Sequence, residues 1–206
     1  MAKVKLTKNE LKKQKDSLKM YRRYLPTLML KKQQLQAEIR LTEIRLKELM
    51  DEKSRTDGLF QAWIAVFGEK EIFTLDILKI TLVKTSQGNI AGVNIPVFEG
   101  AEFEVFPYDL VSMPLWLDLA VEKLKKIFLL DLEIKVVEEQ RLRLDRELRI
   151  TTQRVNLFEK IKIPEARENI RKIQVYLGDQ QTAAVVRGKI AKRGLAAKDN
   201  AGRVSS

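Results

Sequence analysis

The chain has 206 residues, 33% of them charged, with a net charge of +11 and neither histidine nor cysteine. Without cysteine no disulfide framework or thiolate metal site can form. Without histidine the commonest general base and metal ligand is gone, so most hydrolase, nuclease and transition-metal chemistries lose their usual residues.

The alphabet leans on Lys, Leu, Glu, Arg and Gln, all good helix formers. No glycine occurs in residues 1–57 or 101–177, whereas five of the nine fall in residues 58–100. Two long helical arms flanking a turn-rich middle are therefore expected. Charge follows the same division. Residues 1–55 carry 16 basic and 7 acidic groups, 56–115 carry 3 and 8, 116–159 carry 9 and 9, and 160–206 carry 11 and 4. No uncharged stretch approaches the roughly 20 apolar residues that cross a bilayer. The polar start beginning Met1-Ala2-Lys3 predicts no secretion signal.

The first arm is predicted over residues 6–57. Its seam has Leu11, Leu18, Leu25, Lys32, Ile39 and Leu46 at the first heptad position, and Gln14, Tyr21, Leu28, Leu35, Thr42 and Leu49 at the second. Nine of these twelve are apolar or aromatic, a coiled-coil signature. Pro26 interrupts this arm, and a bend over residues 22–26 is expected from its missing N–H.

The middle, residues 58–114, is predicted as a small head. A short amphipathic helix through Leu59, Phe60, Trp63 and Phe67 opens it and Gly68 closes it. A half-buried strand follows, with Leu78, Ile80 and Leu82 on one face. Ser86-Gln87-Gly88-Asn89 reads as a turn, and a return strand runs through Ile90, Val93, Ile95 and Val97. Pro96 demotes that strand to an edge. Phe103, Val105 and Tyr108 suggest one more extended piece. Trp63 and Trp116 are expected to anchor the head to the helices.

The second arm is predicted over residues 115–178, with Ile127, Ile134, Arg141, Leu148 and Val155 at one seam position and Leu130, Val137, Leu144, Thr151 and Phe158 at the other. Beyond Phe158 the frame slips across Ile161, Ile163 and Pro164, then resumes as Ala166, Ile170, Ile173 and Leu177. A short helix over 179–193 and a loose tail over 194–206 complete the chain. The fold class is thus mainly α: a long antiparallel two-helix coiled coil of the terminal helices, with a small head containing a short helix and a β-hairpin. Seam partners are expected to have numbers adding to about 173. That register pairs Leu49 with Leu124, Leu28 with Leu144, Leu18 with Val155, and Leu11 with Ile161 or Lys162. Both basic chain ends then share one tip of the rod and the acidic insert lies at the other.

No motif points to catalysis. Gly188-Lys189 lacks the glycine five positions earlier that a phosphate loop needs, Ala183 standing there. Asp131, Glu133, Glu138 and Glu139 alternate with Lys and Arg and are expected to be solvated. The basic residues Lys12, Lys13, Lys15, Lys19, Arg22, Arg23, Arg167, Arg171, Lys172, Arg187 and Lys189 admit a solvated face, a nucleic-acid surface or a surface for an acidic protein partner. No helix-turn-helix, zinc finger or aromatic stacking platform supports nucleic acid.

Arg154-Val155-Asn156-Leu157-Phe158-Glu159 followed by Ile163-Pro164 resembles the C-terminal "RVNxxE…IP" signature of the D subunit of V-type and archaeal-type ATPases. Asn89-Ile90-Ala91-Gly92-Val93-Asn94-Ile95-Pro96 is similar to the central stretch of the same family, and Arg187-Gly188-Lys189-Ile190-Ala191-Lys192 resembles the end of its folded part. The chain departs from the family near its start, where Leu6-Thr7 stands in place of Pro-Thr. The resemblance implies a non-catalytic, cofactor-free central stalk that turns inside a hexamer of A and B subunits and carries torque to a membrane ion ring. It also implies a small stalk F subunit and a funnel-shaped C/d subunit as partners, no membrane insertion, and a place at the cytoplasmic face. In that setting the basic tip faces acidic groups of the hexamer. The gamma shaft of an F-type synthase is the nearest rival, but its intervening domain is larger than the 57 residues of 58–114. A basic coiled-coil scaffold or nucleic-acid-binding protein is the rival from another class.

Overall fold

The structure, a computed structural model, describes residues 4–67, 78–105 and 117–204, with the backbone alone for 62–67 and 195–204. In chain order it comprises α1 (Lys8–Phe67), β1 (Leu78–Ile90), β2 (Val93–Val105), α2 (Leu117–Asn156), a π-helical turn (Leu157–Lys162) and α3 (Ile163–Val204). It is mainly helical, with one two-stranded antiparallel hairpin between the helices. Two compact units are formed, one by Met1–Met29 with Gln153–Ser206 and the other by Leu30–Thr152.

α1 begins where Thr7 caps it. The Thr7 hydroxyl accepts a hydrogen bond from the Glu10 amide at 3.2 Å, with a Glu three residues on as in a capping box. The helix then runs for 60 residues with Pro26 inside it. Gly58 does not stop it, so the separate short helix expected after residue 57 is the last part of α1. A single helical glycine costs only about 1 kcal/mol, less than a run of good helix formers on both sides supplies. Trp63, Gly68, Tyr108 and Trp116, with the roles expected of them, lie outside the residues whose side chains are described.

In the unit Leu30–Thr152 the seam is built of buried aliphatic side chains. Leu35 and Leu144 are fully buried together with Ile39, and Leu49 packs with Leu130, Ile134 and Val137, with Leu46 beside them. Burying one such side chain stabilises by roughly 1.5–3 kcal/mol. Ion pairs flank the seam. Lys31 meets Glu147 at 2.7 Å, Arg45 meets Glu133 at 2.8 Å and Lys126 meets Glu52 at 2.9 Å. In each of these three pairs the residue numbers add to 178, so the helices are antiparallel but shifted by about five residues from the expected register. Leu144 accordingly shares its cluster with Leu35 rather than Leu28, and Leu49 packs on Leu130 rather than Leu124. Apolar heptads alone leave neighbouring registers similar in energy, and charge pairing separates them.

In the other unit Val155, Ile163, Ala166 and Ile173 are buried, while Leu11, Leu18, Leu25, Leu28 and Phe158 are half-buried. The Tyr21 and Phe158 rings meet with centroids 5.1 Å apart. The slip in the heptads takes physical form here as the π turn, in which the Ile163 amide bonds the Phe158 carbonyl five residues back. Such a turn absorbs one extra residue. The stripe that would continue at 162, 165, 169 and 172 instead continues at Ile163, Ala166, Ile170 and Ile173. Helix α3 runs on through Gly178, Gly188 and Gly194 to Val204, so the break expected at Gly178 and the loose tail are both replaced by helix. Ala, Lys, Leu and Arg around Gly188 and Gly194, and Leu177 and the glutamines around Gly178, are strong enough helix formers to carry them.

The hairpin departs from expectation in three ways. Its turn is Ala91-Gly92, at φ 51° and 78°, rather than Ser86 to Asn89. Two positive-φ residues make the tight two-residue turn whose twist suits a hairpin. Phe103 and Val105 belong to β2 itself rather than to a further strand. Of the expected half-buried face of β1 Leu78 is half-buried, but Ile80 and Leu82 are open, 38% and 51% exposed. Register shifts between Ile80 and Leu82 and between Lys84 and Thr85 break the alternation on which that face depended.

Leu35→Ala should lower stability by about 2–5 kcal/mol through lost burial and a residual cavity, read as an earlier midpoint in urea unfolding followed by circular dichroism. Gly178→Ala should do the opposite. Nothing lies within 4 Å of an added Cβ there, so about 0.5–1 kcal/mol of stability should be gained.

Candidate functional site

Three features distinguish the surface: a hairpin tip seated on two helices, the π turn, and a strongly basic terminal unit. The tip is built by its turn chemistry. Asn89 accepts the Gly92 amide through Oδ1 at 3.0 Å and donates through Nδ2 to Asn94 Oδ1 at 2.8 Å, across the pair that faces it. That leaves Ile95, only 3% exposed, to enter the cluster of Leu35, Ile39 and Leu144, with Ile90, Ala91, Val93 and Leu148 around it. Gly88 makes room for this face, since a Cβ there would stand 2.9 Å from Val97 Cγ2.

Two α2 side chains hold the backbone of β2. Gln140 donates through Nε2 to the Pro96 carbonyl, and Arg143 donates through Nη1 to the Asn94 carbonyl at 3.2 Å. Arg143 is itself aimed by Glu139, one turn back. The hairpin tip therefore touches α1 and α2 at once, well back along α1 from its last described residue, Phe67. The central signature residues have evident duties: Asn89 fastens the turn, Gly92 supplies the positive φ, Val93 packs, and the Pro96 carbonyl receives Gln140.

Of the four carboxylates expected to be solvated, Asp131, Glu133, Glu138 and Glu139, three carry solvent-reached ion pairs. Asp131 takes Lys53 at 2.6 Å, Glu133 takes Arg45 and Glu139 takes Arg143. A hydrogen bond from Lys126 holds the Glu52 carboxyl below its ordinary pKa, and one to Asp131 raises that of Lys53. These groups are solvent-screened, so they set alignment more than stability. Of the C-terminal signature, Val155 and Ile163 are buried, whereas Arg154, Asn156, Glu159 and Pro164 are exposed around the π turn.

The basic residues Lys12, Lys13, Lys15, Lys19, Arg167, Arg171, Lys172, Arg187 and Lys189 are all exposed, and all lie in the unit that holds both chain ends. That unit carries 21 basic and 7 acidic groups, net +14, against 18 and 21, net −3, in the other. Lys172 is paired with Glu168 within α3. Residues that sequence reasoning missed are Gln140, Arg143, Lys31 and Glu147. The correct helix register would have revealed the ion pair, but no sequence signal marks Gln140 and Arg143.

Among the described residues no helix is long and apolar enough to cross a membrane. Taken together, long paired helices, a clamped hairpin and one cationic unit define a mainly helical coiled-coil protein. The chain belongs to the ATP synthase D-subunit family, whose model matches residues 10–193. It is similar to the V-type ATP synthase D subunit of Borreliella burgdorferi, 53% identical over 201 residues that cover 97% of this chain and 98% of that one. The V-type ATP synthase D subunit of Chlamydia pneumoniae is 34% identical over 200 residues, 92% of each chain. That of Chlamydia trachomatis serovar L2 is 33% identical over 198 residues, 92% of this chain and 95% of its own.

Gly92→Val should weaken the tip by about 1–2 kcal/mol because of its positive φ, while Gly92→Asn should be tolerated better. Faster amide exchange over β1 and β2 with unchanged helix content is the expected reading.

Proposed function

We propose that this chain is the central rotor shaft of a V-type rotary ATPase: a non-catalytic stalk that carries torque between the catalytic hexamer and the membrane ion ring. Membership of the D-subunit family over nearly the whole chain is the observation that carries this reading. The structure adds physical support. A buried aliphatic seam held in one register by the ion pairs Lys31–Glu147, Arg45–Glu133 and Lys126–Glu52 makes a helix pair that resists sliding, and two unlike helices present different faces to the sites of a surrounding ring. Contacts that differ from site to site bias each toward a different state, which is coupling by differential affinity.

In this reading the basic unit lies within the ring of A and B subunits, facing acidic groups. The unit bearing the hairpin stands nearer the small stalk F subunit and the funnel-shaped C/d subunit, at the cytoplasmic face of the membrane. The protein inserts nothing into the bilayer and needs no cofactor, and ATP chemistry belongs to the hexamer.

Affinity capture from cells should recover the hexamer and small stalk subunits. Replacing Lys12, Lys13, Arg167 and Arg171 by Gln should weaken hexamer binding by about tenfold or more without shifting the melting temperature, because all four are exposed. Capture of nucleic acid alone, released steeply by salt, would overturn the assignment, as would hexamer binding that ignores the four substitutions.

A further inference from the structure

The π turn is the one interruption of α-helical hydrogen bonding between Leu117 and Val204. Three observations meet there. None of its six residues is buried; Phe158 near its start is half-buried against the Tyr21 ring, but Leu157 and Ile161 are 40% and 53% exposed, so packing does not brace its middle. The apolar stripe is offset by one residue across it: Val155 before it and Phe158 near its start keep one frame, and Ile163, Ala166, Ile170 and Ile173 follow in the next. Pro164 stands immediately beyond, where it removes a backbone donor and would press against the Lys160 carbonyl in a regular α-turn.

The offset explains why the turn persists. Straightening it into α-helix would rotate Lys162, Glu165, Asn169 and Lys172 into the seam in place of Ile163, Ala166, Ile170 and Ile173. Charged side chains there would be desolvated without partners. The wide turn is thus held from both sides by the packing of its neighbours, while its own hydrogen bonds are the poorer i→i+5 kind. Its ends are fixed and its middle is weak.

We propose that the turn Leu157–Lys162 is a compliant joint in the C-terminal arm, the turn at which the helix opens and twists first. The inference goes beyond the rotor assignment and does not depend on it, because the softness is a property of the isolated chain. In a shaft under torque, elastic twist would concentrate at this joint.

Amide hydrogen exchange on the full-length protein tests it. Residues 157–163 should exchange about tenfold faster than residues 144–150 and 166–172. Pro164→Ala alone should leave that difference in place, because the seam still demands the extra residue. Deleting Ile161 together with Pro164→Ala brings the two frames into one continuous heptad. In that variant the fast exchange should vanish and the melting temperature should stay within about 3 °C of the parent or rise. A control deletion of Leu142, exposed like Ile161 but inside regular heptads, should lower it by more than about 10 °C. Uniform exchange in the parent would overturn the proposal. So would slow exchange in Pro164→Ala alone, or a double variant that melts as early as the Leu142 deletion.

Discussion

Everything in the unit Leu30–Thr152 depends on the register in which α1 meets α2. Leu35 against Leu144, and Leu49 against Leu130 and Ile134, supply the free energy, but aliphatic side chains at sevenfold spacing pack almost as well when slid by a turn or two. Direction comes from the charges beside them. The pairs Lys31–Glu147, Arg45–Glu133 and Lys126–Glu52 form together in a single alignment, and each contributes little alone. The hairpin tip is seated on the surface this alignment creates, with Ile95 in the Leu35 cluster and Gln140 and Arg143 reaching its carbonyls. A slide would remove both its pocket and its donors.

The sequence made the arms legible because period is a property of many residues at once. Each of the twelve seam positions from Leu11 to Leu49 is buried or half-buried. The frame slip near Ile163 was equally visible, although only the structure shows that it becomes a π turn. Register was not legible, because it depends on which charges meet across two segments about a hundred residues apart. Glycine was the other source of error. Gly58, Gly178 and Gly194 read as stops, yet each sits inside a long helix, where flanking propensity outweighs one unfavourable residue. The turn Ala91-Gly92 carries little signal of its own, because alanine at positive φ is uncommon. Asn89 and Asn94 around it were the better signal.

The two signature stretches differ in what they do. Around Asn89 to Pro96 the residues shape a tip that docks, so their types follow from turn geometry and packing. Around Arg154 to Pro164 they surround a turn with no buried residue, and the buried members, Val155 and Ile163, are those that fix the two frames on either side. The basic unit was legible as a charge distribution from composition alone. Its concentration in the unit formed by both chain ends follows from antiparallel pairing.

Thr42 carries a consequence for how the helix pair is specified. Its side chain lies in the seam at 9% exposure, and its hydroxyl is satisfied by the Glu38 carbonyl of its own helix at 2.8 Å. That hydroxyl asks nothing of the opposing strand of the coil, so it neither penalises nor rewards any particular axial position. At this position the interior is therefore permissive about translation, and the molecule's length standard is kept in the ion pairs on its outside, where water and salt can reach them.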